Sequence, residues 1–79
     1  MAQPKWMVLK AVPHENYTIE LSFADGTQGT FDMTPLLKED YYASLAAIPI
    51  FMTGHAECGT VVWENDMDIA PEHLYDNCR

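Results

Sequence analysis

Positive charge is scarce in this chain of 79 residues. Four Lys and Arg stand against twelve Asp and Glu, which gives a formal net charge of −8. From Glu39 to Cys78 the chain has eight acidic residues and neither Lys nor Arg. Because nucleic-acid affinity rests mainly on cationic neutralisation of phosphates, we expect no direct binding to DNA or RNA. The charge favours a basic protein or a cation as a partner, although acidity also serves solubility alone.

Cysteines and long apolar runs are also few. Cys58 and Cys78 form neither a dense disulfide framework nor a CxxC redox pair. No apolar run approaches the roughly 18 residues of a membrane span, and no charged-then-apolar leader opens the chain. We therefore expect a cytoplasmic protein with no membrane contact. Repeats, low-complexity tracts and linkers are absent too, so we expect one domain over residues 1–79.

The clearest local pattern lies in residues 17–23, where apolar and polar side chains alternate as in a strand with one buried face. A two-residue Asp-Gly loop after this strand would put Phe31 on the face opposite Leu21. A three-residue Ala-Asp-Gly loop instead pairs Leu21 with Gly29 and keeps the apolar side chains together. Because a one-residue slip moves every side chain to the other face, we predict the three-residue loop, with Gly26 in the left-handed conformation. The shared buried face then contains Tyr17, Ile19, Leu21, Phe23, Phe31 and Met33.

Hydrophobic residues make up 48% of the chain, which is enough for a folded core. The remaining strand predictions are residues 6–12, 55–57 and 60–63, with a brief extended piece at 67–69. Short helices or turns are predicted at residues 36–37, 41–47 and 70–77, and either a turn of helix or an extended connector at 49–51. This order predicts an α+β fold: a small single domain with a mostly antiparallel sheet of four or five strands and two or three short helices.

Three segments are recognisable together: Asn16–Gly26 (N-Y-T-I-E-L-S-F-A-D-G), Phe31–Leu37 (F-D-M-T-P-L-L) and Gly59–Tyr75 (G-T-V-V-W-E-N-D-M-D-I-A-P-E-H-L-Y). They resemble the hairpin, its continuation and the C-terminal signature of the DUF2442 family of small uncharacterised bacterial proteins. The resemblance covers most of the chain, and its last segment is long enough to be specific.

The resemblance implies a small α+β domain of uncharacterised function, with no catalytic residues to transfer. Some relatives carry an additional helix-turn-helix domain, and some are encoded beside other small proteins in toxin–antitoxin-like pairs. We expect no helix-turn-helix here, because the chain ends just after its signature helix. A DNA-binding role linked to that extra domain is therefore not expected either.

Metal and catalytic sites are poorly supported by the sequence. Zinc prefers four converging Cys or His ligands, and the candidates His55, Cys58, His73 and Cys78 have an unusual order and only loosely finger-like spacing. No serine has the glycine context of a nucleophile elbow, and there is neither a Gly-rich phosphate loop nor an H-E-x-x-H motif. We therefore expect no metal, no cofactor, no catalytic residues and no enzyme activity.

Trp63, Asp68 and Tyr75 are the candidate binding residues. Aromatic side chains within an acidic surface suit a cationic partner. Both aromatic residues are also typical of a core, and Asp68 is also placed to cap the final helix, so the sequence leaves both roles open. Asp25 likewise suits a structural role in a turn, and either Asp32 or Thr34 suits a cap of the short turn that follows.

The sequence thus favours a protein-interaction module, a regulatory or antitoxin-like partner of a more basic protein. The alternative is a small-molecule binding domain that uses an aromatic pocket near Trp63. Self-association is compatible with either function.

Overall fold

The structure, a computed structural model, describes residues 5–78. Its strands are β1 (Val8–Pro13), β2 (Thr18–Phe23), β3 (Gln28–Asp32), β4 (His55–Glu57), β5 (Thr60–Val62) and β6 (Asp68–Ile69). Two 3₁₀ helices, Leu36–Lys38 and Asp40–Ala46, and α1 (Ile48–Phe51) lie between β3 and β4, and α2 (Pro71–Asn77) follows β6. The α+β class is confirmed.

The β2–β3 hairpin has the predicted register. Leu21 lies opposite Gly29 and Ile19 opposite Phe31, and the loop is closed by a 2.9 Å hydrogen bond from Phe23 N to Thr27 O. Gly26 has a φ of +89°, the left-handed conformation that the three-residue loop requires. Five residues of the predicted face are buried and Tyr17 is half-buried, so the register argument is confirmed.

The numbers of strands and helices differ from the prediction. Within residues 5–78 six strands form two three-stranded antiparallel sheets, β1-β2-β3 and β4-β5-β6, accompanied by four short helices. The segment 68–69 is too short to be recognised as a strand by itself and becomes one because Ile69 pairs with Val61. The sheets stay separate because β1 meets the second one through a hydrogen bond from Val8 N to Gly59 O, not through a continuous ladder.

One hydrophobic cluster lies between the sheets and the helices. Each sheet contributes alternate residues to it, the second 3₁₀ helix contributes Leu45, α1 contributes Phe51, and α2 contributes Leu74. The buried members are Val8, Ile19, Leu21, Phe23, Phe31, Met33, Leu45, Phe51, Val61, Trp63, Ile69 and Leu74. None of the helices within residues 5–78 has the length and apolar character needed to cross a bilayer.

The three aspartates with expected structural roles divide into two groups. Asp25 Oδ1 accepts a hydrogen bond from Thr27 N, and Asp32 Oδ1 accepts one from Thr34 N, both at 2.9 Å, so each stabilises a turn as predicted. The cap predicted for Asp68 is wrong. Ala70 precedes α2 and no side chain caps it, because Asp68 is paired with Val62 in β6.

Candidate functional site

Trp63 is a core residue in this fold. Its side chain is 1% exposed, and its indole Nε1 donates a 3.0 Å hydrogen bond to the carbonyl oxygen of Phe51. The ring also lies close to Gly54, where a Cβ atom would be 2.7 Å from Nε1. Burial and a satisfied N–H leave Trp63 almost no surface for a ligand. A binding role for it remains an untested prediction, and its contacts here are those of packing.

Tyr75 joins α2 to the β2–β3 turn. Its hydroxyl donates a 2.6 Å hydrogen bond to Asp25 Oδ2, and its ring packs edge-to-face on Phe23 at 5.0 Å. Lys5 Nζ lies 5.8 Å from the ring centre. The Tyr75 hydrogen bond, assisted by those from Thr27, lowers the pKa of Asp25, and the same bond raises the pKa of Tyr75. Two of the recognisable sequence segments therefore meet at this contact.

Asp68, the third predicted binding residue, is exposed on β6 beside a different aromatic residue, Tyr42. Burial raises the pKa of Tyr42, and the nearby Tyr41, Asp68 and Glu39 raise it further through their negative charge. Asp68 thus belongs to a surface formed with the second 3₁₀ helix, whereas Trp63 is packed on Phe51 and Tyr75 on Phe23. The structure does not gather the three predicted residues into one site.

Tyr41 is the most exposed large apolar side chain in the described part of the chain. Its exposed fraction is 63%, and its ring stands edge-on to that of Tyr42, with centroids 4.7 Å apart. We call the surface formed by Glu39, Asp40, Tyr41, Tyr42 and Asp68 the acidic-tyrosine patch. Sequence reasoning placed both tyrosines in a short helix and did not name them as site residues, although the four adjacent acidic and aromatic residues 39–42 were a usable signal.

The acidic-tyrosine patch rests on a well-anchored segment. Leu45, one turn beyond the tyrosines, is fully buried. Ser44 Oγ accepts a 3.0 Å hydrogen bond from Asn65 Nδ2 in the β5–β6 turn, and the Tyr17 hydroxyl donates to Ala46 O. The second 3₁₀ helix is therefore fixed to both sheets, so the exposed Tyr41 ring is presented with little ordering cost on binding.

The four residues weighed as zinc ligands have separate environments. His55 Nδ1 lies 3.0 Å from Thr53 O, and the ring of His73 packs edge-on against Phe31 at 5.7 Å. Cys58 and Cys78 are free thiols. Within residues 5–78, no three His, Cys, Asp or Glu side chains are grouped as a metal ion would require.

Two surface grooves are formed by the first sheet. One, of about 370 Å³, lies over its solvent face along Lys10, Glu20 and Gln28. The other, of about 490 Å³, lies between β3, the first 3₁₀ helix and α2 and is lined by Phe31, Leu36 and His73. Trp63 lines neither groove, so the aromatic pocket proposed from the sequence does not coincide with them.

Comparison with known proteins identifies a family but no characterised relative. The model of a family described as "Protein of unknown function (DUF2442)" matches residues 8–79. No curated protein and no solved structure matches the chain. The match spans the hairpin, the acidic-tyrosine patch and α2, and the resemblance seen in the sequence is confirmed: the chain belongs to the DUF2442 family.

Proposed function

We propose that this protein is an interaction module that binds a basic segment of another protein through the acidic-tyrosine patch. The observation that carries the proposal is the exposed Tyr41 ring, which follows the exposed Asp40 in the chain and packs against Tyr42. The charges of Asp68 and Glu39 act on Tyr42 in turn. In this role the protein is a regulatory or antitoxin-like partner of a more basic protein in the bacterial cytoplasm, and it neither catalyses a reaction nor contacts nucleic acid.

The patch suits arginine more than any other side chain. A guanidinium group stacks on a tyrosine face, with a gain of about 0.5–1 kcal/mol at exposed sites and about 2 kcal/mol when desolvated. The same planar group forms paired hydrogen bonds with a carboxylate such as Asp68. With eight acidic residues and no Lys or Arg between Glu39 and Cys78, this part of the chain also steers a basic partner toward the patch.

Affinity capture from the native cell tests the proposal with three baits: the wild type, Tyr41→Ala and Leu9→Ala. Leu9 is 56% exposed on β1, in the first sheet, so Leu9→Ala is a matched loss of exposed apolar surface away from the patch. We expect the wild type and Leu9→Ala to retain the same basic protein and Tyr41→Ala to lose it. Equal capture by all three baits, or capture of acidic proteins alone, would contradict the proposal.

We propose small-molecule binding as a second candidate function, at a position that differs from the sequence expectation. The groove lined by Phe31, Leu36 and His73 has a volume in the range of ligand pockets and an apolar wall. An apolar probe such as indole should shift the side-chain NMR signals of Phe31 and His73 if this candidate is right. Unchanged signals at saturating probe would remove it.

A further inference from the structure

The outer edge of β3 is an open row of hydrogen-bonding groups. Alternate residues of β3 face β2, as the bonds from Phe23 N to Thr27 O and from Met33 N to Tyr17 O establish, each at 2.9 Å. The N–H and C=O groups of the intervening residues, Gln28, Thr30 and Asp32, therefore point away from the sheet. Within residues 5–78, β2 is the one strand paired with β3.

The other sheet edges are protected, and β3 is not. On β1 the register shifts around Leu9, and the strand ends in Pro13, which has no N–H to offer. β4 lies against β1, and β6 has two residues. Bulges, prolines and short strands are the usual means by which edges avoid pairing. The five residues of β3 contain no proline, no lysine and no bulge.

We propose that β3 pairs with β3 of a second copy of this chain, antiparallel, so that two three-stranded sheets join into one. The outward-facing residues fix the register. Centring the two-fold axis on Thr30 places Thr30 opposite Thr30 and Gln28 opposite Asp32, and each of these pairs exchanges both backbone hydrogen bonds. In any other register, at least one of the residues Gln28, Thr30 and Asp32 would not lie opposite another of these three residues.

The side chains opposed in this register are complementary. The Gln28 amide donates to the Asp32 carboxylate of the other copy. That carboxylate accepts from Thr34 N through Oδ1, and its two oxygens together have lone pairs for a further donor. Thr30 meets its own equivalent, a favourable pair. No two like charges stand opposite each other, although the chain carries a net charge of −8. This self-complementarity is the reason to assign the edge to a second copy.

The dimer and the binding of a basic partner respond to salt in opposite directions. Two copies of net charge −8 repel, so salt screens the repulsion and the β3 dimer tightens as ionic strength rises. Attraction between the acidic-tyrosine patch and a basic partner is screened and weakens. The salt dependence of each association therefore shows separately whether the β3 dimer or the binding of a basic partner has failed.

Sedimentation of the full chain over about 1 µM to 1 mM tests the pairing with charge variants at position 28. Gln28→Lys puts opposite charges face to face with Asp32 and should lower the dimer dissociation constant by a few-fold to about tenfold, and Gln28→Glu should raise it by a similar factor. Ala43→Lys and Ala43→Glu change the net charge equally at an exposed site in the second 3₁₀ helix and serve as controls. The double variant Gln28→Glu/Asp32→Asn keeps the net charge and should restore the dimer.

Thr30→Pro is the second test. The Thr30 N–H faces outward, so proline removes an intermolecular donor and keeps the ladder to β2. We expect a folded monomer, checked by an unchanged circular dichroism spectrum, and loss of concentration-dependent hydrogen-exchange protection at the amides of Gln28 and Asp32. If proline unfolds the chain, Thr30→Lys, which opposes two like charges, replaces it. A wild type that stays monomeric to about 1 mM, or a dimer that responds equally to charge at positions 28 and 43, would overturn the proposal.

Discussion

At the scale of single residues, the three side chains chosen from the sequence have three different environments. Trp63 is enclosed in the core, Tyr75 bonds Asp25 across the molecule, and Asp68 lies exposed near Tyr42. Sequence position alone does not separate these cases, because Trp and Tyr fill cores and bind ligands through the same aromatic surface. In the structure the two aromatic residues are distinguished by their hydrogen bonds: Trp63 Nε1 donates to Phe51 O inside the core, and the Tyr75 hydroxyl donates to Asp25 at the surface.

Trp63→Ala should destabilise the protein strongly. It removes a fully buried indole and one of the two hydrogen bonds that the Phe51 carbonyl accepts, the other coming from Gly54 N. We therefore expect a loss of about 3–5 kcal/mol in the free energy of unfolding, measured by urea denaturation. Tyr41→Ala, at an exposed ring, should change it by less than about 0.5 kcal/mol. A Trp63→Ala protein as stable as the wild type would contradict the core assignment.

Tyr75→Phe should destabilise in a pH-dependent way. The pKa of Asp25 is lowered in the fold, so its contribution is present above its unfolded pKa of about 3.9 and is lost as pH falls through the folded value. The pKa of Tyr75 is raised, so its contribution is complete below about pH 10 and is lost as pH rises through the folded value.

The difference in unfolding free energy between wild type and Tyr75→Phe should therefore be largest near neutral pH and shrink at both extremes. Urea denaturation at acidic, neutral and alkaline pH measures it. Tyr41→Phe is the matched control, since it removes an exposed hydroxyl elsewhere. A difference that stays constant from acid to neutral pH would show that the Asp25 bond contributes nothing.

At the scale of elements, the sequence predicted correctly those features that depend on neighbouring residues of the chain and missed those that depend on contacts between distant segments. The β2–β3 register followed from period-two alternation and one turn, both contained in residues 17–33. The brief extended piece predicted at 67–69 is a strand, β6, only through its pairing with β5. The short helix predicted at 41–47 is present as the second 3₁₀ helix, and its 3₁₀ form was not predicted. The acidic-tyrosine patch was missed for the same reason: Asp68 reaches it from a distant strand.

Gly26→Val tests the hairpin turn. A Cβ atom at Gly26 has no neighbour within 4 Å, so the cost arises from its φ of +89° and not from packing. We expect a loss of about 1 kcal/mol or more in unfolding free energy, because β-branched residues strongly resist positive φ. Gly26→Asn should cost less, since asparagine tolerates this conformation. Equal stability of the two variants in urea titrations would exclude backbone strain as the cause.

At the scale of the whole molecule, the charged residues are unevenly distributed along the chain. Lys5, Lys10 and Lys38 all precede Glu39, and the chain from there to Cys78 has no cationic side chain other than protonated histidine. The second sheet and the acidic-tyrosine patch therefore lie in the part of the chain that has no Lys or Arg. The open edge of β3 lies in the first sheet, which contains Lys10. In the proposed dimer each molecule keeps its own acidic-tyrosine patch, so a partner with two basic segments would gain from binding both.

The most direct test of the patch is an NMR titration of the isotope-labelled protein with a short arginine-rich peptide. Specific recognition predicts that the backbone amide shifts concentrate at residues 39–42 and at Asp68. It also predicts that Tyr41→Ala weakens binding several-fold, and that a lysine-rich peptide of equal charge binds less tightly because lysine stacks less well. Shifts spread evenly over all acidic residues, including Glu72 and Asp76 on α2, with Tyr41→Ala binding as tightly as the wild type, would contradict the account.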